Sequence, residues 1–309
     1  MINYLLKKGL ILLSSLFLVT TLTFFLMHAI PGDPFIQDKA IPEEILQALH
    51  KHYGLDKPLY IQFFKYLDGV IHFEMGPSFK YEGRTVNEII STGFPVSFYL
   101  GMEALVIAVF GGIVLGSIAA MCHRRLPDYL MMMIAVIGIS VPSFILATFL
   151  QYLLAMKLSL LPVARWGSFS QTIMPALSLA ALPLAFIARL TRSNMIEVLQ
   201  QDYIQTAKSK GLNGITILVR HVLRNALLPV VTYIGPLAAT VMTGSFAIEK
   251  IFGIPGLGQW FVMSITNRDY TVIMGVTVFY SALLLLSVFI VDLLYCIIDP
   301  RIQLKHDRQ

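Results

Sequence analysis

ALVIAVFGGIVLGSIAAMC, residues 104–122, contains no Asp, Glu, Lys or Arg. An α-helix rising 1.5 Å per residue needs about 20 such residues to cross some 30 Å of hydrocarbon. Five further runs on either side are equally free of charge: Gly9–Gly32, Tyr129–Met156, Trp166–Ala188, Asn225–Ile248 and Tyr270–Val291. A charge at mid-helix costs about 2.5–3.5 kcal/mol on the insertion scale, so six charge-free runs follow from selection by a bilayer. A very apolar soluble bundle would instead carry polar stripes at helical period on its outer helices, and these runs show none. The pattern predicts an all-α integral membrane protein of about six transmembrane helices.

The composition agrees. The chain of 309 residues is 56% hydrophobic and 13% charged, with mean hydropathy +0.73, where a soluble domain carries about a quarter charged residues. The first run follows Lys7 and Lys8 as a signal peptide would, but it exceeds an apolar region of about 7–15 residues. It is followed by His28-Ala29-Ile30-Pro31-Gly32 rather than a small-x-small cleavage site, so it reads as a retained helix. Cys122 and Cys296, in or beside different apolar segments, suggest no disulfide framework. Residues 1–309 read as a single transmembrane domain.

Six spans put both termini on one side. With the N-terminus inside, the inner segments hold Lys7, Lys8, Arg124, Arg125, Arg189, Arg192, Lys208, Lys210, Arg220, Arg224, Arg301, Lys305 and Arg308. The two short outer loops hold only Lys157, Arg165, Lys250 and Arg268. This is the positive-inside bias, and it accounts for the net charge of +5 without nucleic acid. The long segment 33–95 then falls outside. Within it, Pro42 to His52 reads as an amphipathic helix with Ile45, Leu46 and Leu49 on one side. A second helix is expected through Tyr60, Phe63, Phe64 and Leu67.

Enzyme signatures are missing from the sequence. There is no P-loop, no His-Glu-x-x-His, no Cys/His cluster at metal spacing and no Gly-x-Ser-x-Gly elbow. Asp292, Glu103 and His28 are the ionisable groups in or beside the spans. All three sit toward span ends, where snorkelling or capping explains them better than a proton relay. No cofactor is expected.

The cytoplasmic segment of size is Thr191–Arg224, broken by Gly211-Leu212-Asn213-Gly214. Before the break Tyr203, Ile204, Ala207 and Gly211 recur at spacings of three and four, one face of a short helix. Small residues there would let the helix seat in a groove of another protein. Equally, Lys208, Lys210, Arg220 and Arg224 would hold an amphipathic helix on lipid headgroups.

Asp202-Tyr203-Ile204-Gln205-Thr206-Ala207-Lys208-Ser209-Lys210-Gly211-Leu212, followed by Arg224-Asn225-Ala226-Leu227-Leu228-Pro229, resembles the EAA loop of ABC-importer permeases. More narrowly it resembles the oligopeptide/dipeptide/nickel branch. Gln205-Thr206-Ala207 stand where the general pattern has E-A-A, with Gly211 as its glycine. The general pattern also has I-x-L-P nine residues on; His221-Val222-Leu223-Arg224 stands there, and the proline comes later, at Pro229. Pro31-Gly32-Asp33-Pro34 is similar to the P-G-D-P of the first permease subunit in that branch, and Tyr53-Gly54-Leu55-Asp56-Lys57-Pro58-Leu59 to its outer segment. Glu74-Met75-Gly76-Pro77-Ser78 stands where the branch has D-L-G-x-S. Phe252-Gly253-Ile254-Pro255-Gly256-Leu257-Gly258 resembles its F-x-x-P-G-L-G loop, and Asp299-Pro300-Arg301 its terminal D-P-R.

The resemblance implies a permease subunit, not an enzyme, of a binding-protein-dependent importer of peptides or related solutes in the bacterial cytoplasmic (inner) membrane. It implies a second, homologous permease subunit, two cytoplasmic P-loop ATPase subunits and an extracytoplasmic solute-binding protein, besides membrane lipid. Residues 195–224 would be the coupling loop, with Tyr203, Gln205, Thr206, Ala207, Lys210 and Gly211 engaging an ATPase. Phe252, Pro255, Gly256, Leu257 and Gly258 would meet the binding protein. A secondary carrier without an ATPase, or a membrane assembly or signalling protein, is the competing class. The carrier would bring polar mid-span residues and often inverted repeats, and neither is found.

Overall fold

The computed structural model describes residues 2–35, 42–242 and 244–298. Its helices in chain order are α1 Ile2–Ala29, α2 Glu43–Tyr53, α3 Leu59–Ile71, α4 Val86–Met121, α5 Leu126–Ser140 and α6 Ser143–Leu150, which continues as a π-helical stretch Gln151–Lys157. There follow α7 Phe169–Leu199, α8 Asp202–Ser209, α9 Gly214–Thr216, a π-helical stretch Ile217–Leu223 and α10 Arg224–Ala226. The chain closes with α11 Leu228–Met242, α12 Phe246–Phe252, α13 Leu257–Asn267 and α14 Tyr270–Ile298.

Among the described residues four helical segments are long and apolar enough to cross a membrane: Leu6–Ala29, α4, α7 and Tyr270–Ile290. Two bent pairs raise the number to six if each is one span. The run expected as one helix over Tyr129–Met156 is broken between α5 and α6, whose axes turn by 108°. The cause is Pro142, which lacks an N–H and pushes Val141 into extended backbone at φ −94°, ψ 120°. The run Asn225–Ile248 is likewise divided. It bends by 52° near Leu227, α11 stops at Met242, and Phe246–Ile248 belong to α12. The Asp299-Pro300-Arg301 motif, Lys305, Arg308 and the side chains of Asp292 and Cys296 lie outside the described residues.

The chain forms two compact units, one within residues 1–96 and 255–309, the other within 97–254. In the first, α1 lies along α14. The two helices expected between the first and second spans are present as α2 and α3, and α2 carries Glu43 and Glu44 in its first turn and His50, Lys51 and His52 in its last, complementing the helix dipole. An aromatic cluster holds α3 to α1 and α14: Phe24 lies 5.2 Å from Phe63 and 5.7 Å from Tyr66, within a core that includes Tyr270 and Met274. His28 is structural, its Nδ1 at 2.9 Å from the Phe24 carbonyl and its Nε2 at 3.1 Å from Gln62 Oε1. Asp33 of the P-G-D-P stretch accepts the Phe35 N–H at 2.8 Å and lies 2.5 Å from His50 Nε2, which ties the exit of α1 to α2. Ser78 donates to the fully buried Asp269, which also accepts from the Phe79 N–H at 3.2 Å and from Thr271 Oγ1 at 2.9 Å. The Gly76-Pro77-Ser78 loop is thereby clasped to the start of α14.

In the second unit α7 is the central helix, opened by a bond from the Ser168 N–H to Gln171 Oε1 at 3.0 Å. Small residues let its neighbours approach closely, as in membrane helix packing generally. Ala135 of α5 packs on Ala185 and Ala188 of α7. A Cβ at Gly116 of α4 would lie 2.5 Å from the Ala188 carbonyl oxygen, so only glycine permits that approach.

Candidate functional site

The segment that follows α7 builds a compact platform against α4 and α7. Ile204 and Ala207 of α8 are buried in one cluster with Ala120 of α4, Met195 of α7, and Ile217, Val222 and Ala226 of the following segment. The face expected to seat in a partner therefore divides. Ala207, 6% exposed, faces the chain's own core, because the apolar groups one turn apart on α8 find Met195 and Val222 there first. Tyr203, Gln205, Thr206, Lys210 and Gly211 are exposed and form the free side. Tyr203 is held in place by the Asn225 Nδ2–H, which donates to its hydroxyl at 2.8 Å. Gly211 stands at φ 75°, a left-handed turn that glycine adopts without Cβ strain, and its N–H donates to the Lys208 carbonyl at 2.9 Å.

Beyond that turn lies a feature the sequence reading missed. Leu212, Ile215 and Val219 are 41%, 70% and 60% exposed. Leu212 precedes the Asn213 cap of α9, Ile215 lies within α9 and Val219 in the π-helical stretch after it, so three large apolar side chains stand exposed in the segment that follows α8. These residues share no single helical period, so no periodic signal marked them in the sequence.

A second unexpected element stands near this platform. Arg192 of α7 forms a two-pronged pair with Asp128 of α5, Nε to Oδ1 at 2.6 Å and Nη2 to Oδ2 at 2.8 Å. The Arg124 N–H donates to Asp128 Oδ2 at 2.9 Å, and His123 Nδ1 lies 3.3 Å from the same oxygen. The Asp128 side chain is only 2% exposed. The pair locks the α4–α5 turn to α7 one helical turn from Met195, and hence from the core under α8.

The Phe252–Gly258 stretch is less open than its sequence suggested. Phe252, Gly256, Leu257 and Gly258 are buried, and Pro255 and Gly253 are exposed. Leu257 packs with Val86, Ile89, Val272 and Val276, while the Phe252 carbonyl accepts the Arg165 N–H at 2.8 Å. Glu249 of α12 is fully buried and accepts from Ser97 Oγ at 2.7 Å. The first unit also has a cavity of about 240 Å³ whose lining includes Phe24, Tyr53, Tyr66, Met75 and Phe79. Burial pushes the Tyr66 phenol above its ordinary range. Among the described residues no cluster of His, Cys, Asp or Glu could hold a metal ion.

Residues 112–304 match the family described as "Binding-protein-dependent transport system inner membrane component", and residues 1–101 match "Binding-prot-dependent transport system membrane comp, N-term". The chain belongs to this family. It is therefore a multi-pass membrane component of a transport system rather than an enzyme. Similar relatives span the full length. The dipeptide transport system permease protein DppB of Bacillus subtilis (strain 168) is 51% identical over 304 residues, 98% of this chain and 99% of that protein. The oligopeptide transport system permease protein OppB of Haemophilus influenzae is 42% identical over 305 residues, 98% of this chain and 100% of that protein. A solved structure titled "Crystal structure of an amino acid ABC transporter with histidines" aligns at TM-score 0.52 and 15% identity over 67% of this chain and 92% of that one. That likeness concerns the fold of the permease alone.

Proposed function

We propose that this permease imports dipeptides or oligopeptides across the bacterial cytoplasmic membrane, as one of two homologous permease subunits driven by two P-loop ATPases and supplied by an extracytoplasmic binding protein. Both termini are cytoplasmic in this reading, and residues 33–95 face outward. The peptide substrate is supported by the names of relatives similar over the whole chain. The observation that carries the mechanism is α8, a short exposed helix whose inner side is buried against Ala120 and Met195. Its outward side, with Gln205, Thr206 and Lys210, seats on an ATPase. When the ATPases close on ATP, the push on α8 passes through Ile204 and Ala207 to the inner ends of α4 and α7. The Asp128–Arg192 pair carries it to α5. These helices then move together and switch the pathway between its inward-open and outward-open forms. Gly253 and Pro255, with the outer segment, offer landing points for the binding protein.

The test is reconstitution of the permease with a second permease subunit and P-loop ATPase subunits in vesicles. Peptide-loaded binding protein should raise ATP hydrolysis, and labelled peptide should accumulate only with ATP. Uptake by the permease in vesicles lacking the ATPase subunits would make it a secondary carrier and overturn the reading.

A further inference from the structure

A cavity of about 460 Å³ in the second unit is lined by Met132 of α5 and by Phe186, Arg189, Leu190, Arg192 and Ser193 of α7. Its two guanidinium groups are not equivalent. The charge of Arg192 is matched by Asp128. Arg189 is exposed and has no carboxylate or hydrogen-bond partner among the described residues, so the cavity keeps one uncompensated positive charge. Ser193, one turn on, exposes a hydroxyl toward the same side of α7. Phe186 walls the cavity and is itself braced by Tyr233 of α11, with ring centroids 4.3 Å apart and planes 28° apart.

The position on α7 is informative. Counting from Phe169, about 20 residues cross the hydrocarbon, which puts Arg189 where the inner side begins. Leu182, Phe186, Arg189, Ser193 and Glu197 recur at spacings of three and four along the exposed side of α7. The opposite side, with Ala185, Ala188, Thr191 and Met195, is buried. A stripe that turns from apolar to charged at this depth suits a solute leaving the membrane inward.

We propose that this cavity is an anion site that takes the C-terminal carboxylate of an inbound peptide at the cytoplasmic mouth of the pathway. The inference rests on the peptide reading above. Arg189 supplies a charge-assisted bond, Ser193 a neutral donor, and Phe186 with Met132 an apolar wall tolerant of different peptide side chains. A lipid phosphate has the same anionic chemistry and is the competing occupant.

The experiment compares uptake of one peptide with a free carboxylate and as its C-terminal amide. The complete transporter is reconstituted in vesicles of phosphatidylcholine alone and with phosphatidylglycerol, as wild type, Arg189→Gln and Arg189→Lys. For each peptide the variant's uptake is divided by that of wild type, which cancels any preference of the binding protein. A hydrogen bond to a charged group is worth enough that Arg189→Gln should lower the carboxylate ratio about tenfold more than the amide ratio. Arg189→Lys, which keeps the charge, should recover part of the difference in both lipid mixtures. Equal losses for acid and amide in both variants would overturn the proposal. A defect that appears only with phosphatidylglycerol would assign the site to lipid and also overturn it. Wild-type vesicles that take up neither peptide would overturn the peptide reading itself, and the site with it.

Discussion

Replacing Asp128 with alanine strands the Arg192 guanidinium. The pair is held by bonds of 2.6 and 2.8 Å, with the Arg124 N–H as a third donor at 2.9 Å. For unit charges about 4 Å apart in an effective dielectric of about 20, the attraction is on the order of 4 kcal/mol. Removing one member of a buried pair costs about 3–5 kcal/mol, mostly through the charge left behind. Asp128 is 2% exposed but Arg192 is 27% exposed, so water can reach the stranded guanidinium. The expected loss for Asp128→Ala is therefore at the low end, about 3 kcal/mol. Heat or denaturant unfolding of the detergent-solubilised protein should be measured for Asp128→Ala, Arg192→Ala and the double variant. Contacting residues couple by about 0.5–3 kcal/mol, and this pair belongs in the upper half of that range, so the double variant should be more stable than the sum of losses implies. Losses that add to within about 0.5 kcal/mol would refute the clasp.

Gly116→Leu should force α4 away from α7, because its Cβ would meet the Ala188 carbonyl oxygen at 2.5 Å; a loss of about 1–3 kcal/mol is expected in the same unfolding assay, and unchanged stability would contradict the close approach. Asp269→Ala should release the loop that Ser78 and Phe79 anchor, at about 1–3 kcal/mol for the donors left unpaired. Trypsin cleavage at the exposed Arg84 is the readout, with faster cutting expected than in wild type. Ala207→Trp should destabilise the permease before any ATPase is added, since Ala207 is packed in the chain's own core; a variant of normal stability that merely fails to couple would return Ala207 to the partner interface.

The spans were legible because hydrocarbon tolerates so few charges. The uncharged runs account for most of α1 and α14 and for residues 104–121 of α4 and 169–188 of α7, while both of those helices extend further into charged sequence. α2 and α3 were legible from their amphipathic spacing. The break at Pro142 was not, because a proline within an apolar run reads alike whether the helix kinks or stops, and membrane helices tolerate both. Periodicity found the Ile204 and Ala207 side of α8 but could not say what covers it; the answer is Met195 and Val222 from elsewhere in the chain. The same limit applies to Phe252 and Leu257, apolar loop residues that read as a docking surface and are buried. The Asp128–Arg192 pair was not legible, since nothing local links residues that far apart in sequence.

The coupling role of α8 is tested most directly by crosslinking from Thr206, which is exposed on the free side of the helix. With Cys122 and Cys296 replaced by serine, a single cysteine at Thr206 is crosslinked in native membranes, and the partner is identified by mass spectrometry. The account predicts a P-loop ATPase, with a crosslink yield that changes on ATP addition. An inserted permease that captures no ATPase from that position, while its second permease subunit is recovered, would contradict it.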